Sequence, residues 1–122
     1  MAKKSDFPAT FLALKSILSA YENFTDVVEN TDSEYTINTP HIMKNGKPLF
    51  FGMVKIGKNY VGYHLMPVYV FPELLKDISS ELEKRMQGKS CFNFKSPENI
   101  LSQELETLTR ACFQAYKNEN YL

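Results

Sequence analysis

Apolar residues at Phe7, Phe11, Leu14, Leu18 and Tyr21 recur every three or four positions, and Leu12 and Ile17 widen the stripe. That spacing predicts an amphipathic helix over residues 7–23. Ser5 or Asp6 stands where a cap is wanted, and Pro8 falls in the first turn, where a missing N–H costs nothing. From Phe24 to Leu65 the period drops to two. Val27-Val28, Tyr35-Thr36-Ile37, His41-Ile42-Met43, Leu49 to Ile56 and Tyr60 to Met66 read as strands. Asn45-Gly46 is a strong two-residue hairpin signal, and Gly57-Lys58-Asn59 reads as a three-residue turn.

Beyond the meander, Pro72 opens a short helix over 73–78. Ser80 and Glu83 form a capping box for a second, running to Met86 or Gln87. Cys91-Phe92-Asn93-Phe94 alternates as one more strand. Ser96-Pro97-Glu98 starts a terminal helix over 97–117, with Ile100, Leu101, Leu105, Leu108, Cys112 and Tyr116 on one face. The expected fold is a single α+β domain over 1–122. It has an antiparallel meander sheet of five to six strands, the N- and C-terminal helices packed on one face, and two short helices after the meander.

The turns set a register. A two-residue Asn45-Gly46 loop puts Lys44 opposite Lys47 and His41 opposite Phe50. A three-residue loop at 57–59 puts Ile56 opposite Tyr60 and Gly52 opposite His64. Paired residues share a face. One face then holds Ile42, Leu49, Phe51, Met53, Val61, Tyr63 and Leu65, apolar enough to pack on the long helices. The other holds Thr39, His41, Met43, Phe50, Gly52, Val54, Ile56, Tyr60, Gly62, His64 and Met66. Glycines make a low floor between taller side chains, so His41, Phe50, Gly52, Tyr60, Gly62 and His64 are the candidate ligand groove. The alternative is a second, thinner core under the short helices. His41 and His64, two strands and two residues apart, stand about 12 Å from each other by strand spacing, too far to share one metal.

Composition changes this picture little. The chain has 122 residues, 43% hydrophobic and 23% charged, which suits one globular domain. No long apolar run spans a membrane, and the N-terminal residues lack the apolar core of a signal peptide, so a cytoplasmic location is expected. Cys91 and Cys112 are too few for a disulfide framework, and Cys112 falls on the apolar face of the last helix. Charge is distributed unevenly. The only charged residues between 41 and 71 are Lys44, Lys47, Lys55 and Lys58, with Lys89 and Lys95 in a later segment. Lysines beside aromatics can hold single strands, but zero net charge and a meander argue against nucleic acid.

Gly88-Lys89-Ser90 has the form of a phosphate-loop tail. The glycine required five residues before it is replaced by Glu83, and the order is helix, glycine, strand rather than strand, loop, helix. Gly88 therefore reads as a left-handed helix terminator. In this same region the chain resembles a known family. Asn45-Gly46-Lys47, the paired aromatic strands and Gly88-Lys89-Ser90-Cys91-Phe92-Asn93-Phe94 resemble the YdhG-like family (domain-of-unknown-function family 1801) over residues 7–117. The resemblance implies helices packed on an antiparallel sheet. Some members resemble frataxin and are described as iron chaperones, and the family offers no catalytic motif to carry over.

Glu22, Asp26, Glu29, Asp32 and Glu34 form an acidic run without a base among them. The resemblance implies a frataxin-type acidic ridge, and clustered carboxylates suit hard cations such as iron. The plain alternative is a charged edge strand that resists edge pairing. The sequence thus supports a non-enzymatic cytoplasmic binding domain without a resident cofactor, taking an unidentified small molecule or protein. The alternatives are an iron carrier using the ridge, and an interaction module or homodimer.

Overall fold

A computed structural model describes residues 6–122, so Ser5, one of the two candidate caps, lies outside the described residues. The apolar stripe folds as α1 (Phe7–Leu18), followed by a 3₁₀ turn over Ser19–Phe24. Phe7, Phe11, Leu14, Ile17 and Leu18 are buried, whereas Leu12 is 62% exposed and does not belong to the stripe. The meander comprises β1 (Asp26–Asn30), β2 (Glu34–Ile42), β3 (Pro48–Ile56) and β4 (Val61–Leu65). The two runs expected around 35–37 and 41–43 are one nine-residue strand, β2. After β4 come α2 (Met66–Val70), a 3₁₀ turn over Pro72–Leu75, α3 (Ser80–Glu83), β5 (Met86–Gln87) and β6 (Cys91–Phe94). A 3₁₀ turn over Pro97–Asn99 leads into α4 (Ser102–Asn118), later than the expected start. Between them Leu101 takes a left-handed φ of 57°. The sheet is antiparallel and six-stranded, in the order β1-β2-β3-β4-β6-β5.

The two expected hairpin registers each slip by one residue, in opposite directions. Met43 N–H donates to Lys47 O at 2.8 Å, which makes a three-residue Lys44-Asn45-Gly46 loop with Gly46 at φ 84°. A left-handed glycine closing a three-residue loop is a common hairpin solution. Ile56 pairs with Val61, and Gly57 N–H donates to Tyr60 O at 2.8 Å, which leaves Lys58 and Asn59 as the tip of the next turn. Since side chains alternate, a slip of one residue exchanges the faces. Gly52 lies opposite Leu65 rather than His64, and Met53 takes the place opposite His64. A bulge on β3 lets Ile37 pair with Gly52 and Asn38 with Phe50, which keeps Phe51 on the buried side.

One face of the sheet carries the core. Tyr35, Ile37, Phe51, Val54, Val61, Tyr63, Leu65, Phe92 and Phe94 are buried in one cluster with α1 and α4. Tyr63 and Thr109 share a hydroxyl–hydroxyl bond of 2.7 Å, and Tyr116 OH donates to Phe50 O at 3.1 Å. Cys112 is a buried member of this cluster, and burial raises the pKa of its thiol. Val68 of α2 and Leu82 of α3 join the same cluster, so the short helices do not cover the other face. The alternative of a second core under the short helices is not formed among the described residues.

The expected box at Ser80 and Glu83 is built from other residues. Ser79 caps α3, its Oγ accepting from Leu82 N–H at 3.1 Å. Glu104, from α4, accepts from both Ser79 N–H and Ser79 Oγ–H at 2.6 Å. Gly88 does adopt a left-handed φ, 77°, but it opens the three-residue turn between β5 and β6 instead of ending a helix.

Candidate functional site

The uncovered face of the sheet is read in rows, because register sets which side chains stand side by side. One row runs Met53, His64, Cys91 and Gln87 across β3, β4, β6 and β5. The next runs Lys55, Gly62 and Asn93. With Gly57 and Tyr60 from the hairpin loop, these residues line a shallow groove of about 300 Å³. A second groove of about 250 Å³ shares Tyr60, Gln87 and Asn93 with it and continues to Lys84, Arg85, Met86 and Lys95.

Gly62 is the floor. The fold accounts for three of the other glycines directly. Gly46 and Gly88 have positive φ, and a Cβ on Gly52 would come within 2.9 Å of Leu18 Cδ1. Gly62 has no such reason. A Cβ there would meet Cys91 Sγ at 3.5 Å, Asn93 Oδ1 at 3.6 Å and His64 Nε2 at 3.8 Å, all ordinary contacts. Glycine inside a strand costs stability, and where packing does not demand it, it often marks a place where something approaches the backbone closely.

The polar groups around this floor are tied into a directional chain. Cys91 Sγ–H donates to Asn93 Oδ1 at 3.3 Å, and Asn93 Nδ2–H donates to Gln87 Oε1 at 2.9 Å. Both amide oxygens are therefore engaged, and the Gln87 amide N–H groups stand at the junction of the two grooves. Burial raises the pKa of the Cys91 thiol, opposed by a backbone hydrogen bond from Tyr63, and burial lowers the pKa of the half-buried His64. Both shifts favour the neutral forms, thiol and imidazole, over an ion pair.

The structure divides the six expected groove residues. Tyr60, Gly62 and His64 come together in the groove. Phe50 lies on the same face, opposite Asn38, but farther along the sheet. Gly52 is turned to the helices, beneath Leu18. His41 stacks on Tyr121 at 4.5 Å between ring centroids, apart from the groove. The Met53, Gln87, Cys91 and Asn93 contributions were not singled out by sequence reasoning, although the polar positions of Cys91-Phe92-Asn93-Phe94 were visible as an alternating strand.

The acidic run is spread out. Glu22 accepts from Tyr35 OH at 2.6 Å, on the helix-covered side. Asp26 and Glu29 stand opposite Asn38 and Thr36, and Asp32 lies in the β1–β2 turn. Glu34 stands opposite Lys55, 3.8 Å from its Nζ, the one ion pair among the described residues. No group of three His, Cys, Asp or Glu among the described residues is placed to hold a metal ion. Nor is any helix among them long and apolar enough to cross a membrane. Comparison of the chain with family models, with curated proteins and with solved structures gave no match.

Proposed function

We propose that this chain is a non-enzymatic, cytoplasmic binding domain of the YdhG-like type that takes its ligand on the uncovered face of the sheet, over Gly62. The observation that carries the reading is a glycine that neither backbone geometry nor packing requires, at the floor of a groove between Lys55 and Asn93. Binding rather than turnover is supported by the protonation of the two reactive groups. Burial holds Cys91 as a thiol, and the Cys91 Sγ–H is directed to an amide oxygen, not to a base. Two free cysteines, Cys91 and Cys112, suit a reducing compartment.

The test is a thermal-shift screen of metabolites on the parent and on Gly62→Val, whose branched side chain suits a strand and fills the groove. Compounds that stabilise the parent should lose that effect in the variant while its far-ultraviolet spectrum stays unchanged. Stabilisation that survives intact in Gly62→Val places the ligand elsewhere and ends the reading.

A further inference from the structure

The two joined grooves are chemically unequal. The half over Gly62 is bounded by Met53, Tyr60 and His64, which offer apolar and aromatic surface around the glycine, and its one cation, Lys55, is already paired with Glu34. The other half is bounded by Lys84, Arg85 and Lys95, and no carboxylate lines either groove. Among the described residues none of these three cations makes an ion pair. At the junction, the chain from Cys91 through Asn93 to Gln87 engages both amide oxygens once and turns the Gln87 N–H donors outward as the unengaged end. The lining is thus rich in donors and cations and contains no carboxylate, next to a surface of small-molecule size.

Resting on the binding role argued above, we infer that the ligand is a small ring-bearing organic anion. Its flat body lies over Gly62 against Tyr60, and its phosphate or carboxylate lies among Lys84, Arg85 and Lys95. A ring without a charge would leave the three cations solvated but unused. An anion without a ring would leave the Gly62 floor empty. Only both parts together match both halves. Aromatic surfaces reward stacking, and guanidinium and ammonium groups favour phosphate and carboxylate oxygens.

Calorimetric titration tests this with two matched sets of probes: AMP against adenosine and inorganic phosphate, and benzoate against benzamide. At least one anion should bind about tenfold or more tightly than its neutral counterpart, the scale of one charge-assisted contact. For AMP it should also bind more tightly than phosphate alone. Which anion shows the effect distinguishes phosphate from carboxylate. In R85Q/K95Q the advantage of the anion should vanish while the neutral compound binds as before. Rising salt should erode the same advantage. Equal affinity for charged and neutral probes, an advantage that survives R85Q/K95Q, or binding of neither anion overturns the inference. If AMP binds no better than phosphate, the ring half of it fails. A neutral metabolite whose stabilisation is lost in Gly62→Val would sink the anion while leaving the binding site in place. If no metabolite responds to Gly62→Val, both ideas fall.

Discussion

Gly52 and Gly62 occupy neighbouring strands of one sheet, yet the same change, glycine to alanine, should act on them with opposite sign. At Gly52 the new Cβ falls 2.9 Å from Leu18 Cδ1 and 3.1 Å from the His64 carbonyl oxygen. Leu18 is fully buried, so it has no solvent to swing into, and the carbonyl belongs to a paired strand. Overpacking of this kind costs about 1–3 kcal/mol. At Gly62 the nearest atom is Cys91 Sγ at 3.5 Å, and the backbone is not left-handed. Alanine there removes freedom from the unfolded chain at no steric cost and gains about 0.5–1 kcal/mol. The two variants should therefore differ by roughly 1.5–4 kcal/mol. Urea unfolding slopes for small domains are about 1–3 kcal/mol per molar, which separates the two midpoints by about 1 M, with Gly52→Ala below the parent and Gly62→Ala at or above it. A Gly62→Ala midpoint that falls as far as that of Gly52→Ala would show that the fold demands glycine at both positions. The reason for reading Gly62 as a binding surface would then disappear.

Other positions give independent checks. Gly88→Val should destabilise by about 1 kcal/mol or more, because φ is 77° and no atom lies near enough for packing to compensate; an unchanged urea midpoint would show that the turn relaxes. Leu105→Ala, at a fully buried site in α4, should cost about 2–5 kcal/mol, read from the same unfolding curves, and a midpoint that barely moves would contradict its place in the core. Burial lowers the pKa of His64 below its usual 6.5, so the unfolded chain binds more protons just below that pH. Stability from this group is complete above about pH 6.5 and is lost as pH falls through the folded value; His64→Gln should flatten that part of the stability profile, and an identical slope in the variant would refute the assignment. Replacing Asp26, Glu29 and Asp32 together by Asn, Gln and Asn should leave ferrous iron affinity near that of the parent, since these carboxylates do not converge; a large loss in an anaerobic titration would restore the ridge as a metal site.

The long elements were legible because burial imposes one strong period on each. Phe7, Phe11, Leu14 and Leu18 repeat at helical spacing because all four are buried on one side of α1. Leu105, Leu108, Cys112 and Tyr116 do the same in α4. Short elements have no period to show. β5 is two residues long and α3 four, and their positions are fixed by tertiary partners. The clearest case is the cap of α3, where the carboxylate that completes it comes from Glu104, twenty-five residues away from Ser79. A local reading assigns that role to Glu83 because a local acid stands at the customary spacing.

The groove was half legible for a related reason. His64 and Gly62 were placed on the open face correctly because β4 alternates cleanly, with Val61, Tyr63 and Leu65 buried. Gly52 was placed there wrongly because its position depends on a turn. A turn centred between Lys58 and Asn59, rather than on Lys58, moves its partner from His64 to Leu65 and sends it under Leu18. Turn length is decided by closures such as Gly57 N–H to Tyr60 O and by what the flanking strands bury, not by the glycine content of the loop alone. Two glycines that look alike in sequence thus serve opposite purposes. Gly52 lets a helix close on the sheet, and Gly62 leaves a space that an added Cβ could fill at ordinary contact distance from Cys91, Asn93 and His64. The distinction lies in which atoms a missing Cβ would have touched, and the nearest of them belong to Leu18, thirty-four positions before Gly52, and to Cys91, twenty-nine positions after Gly62.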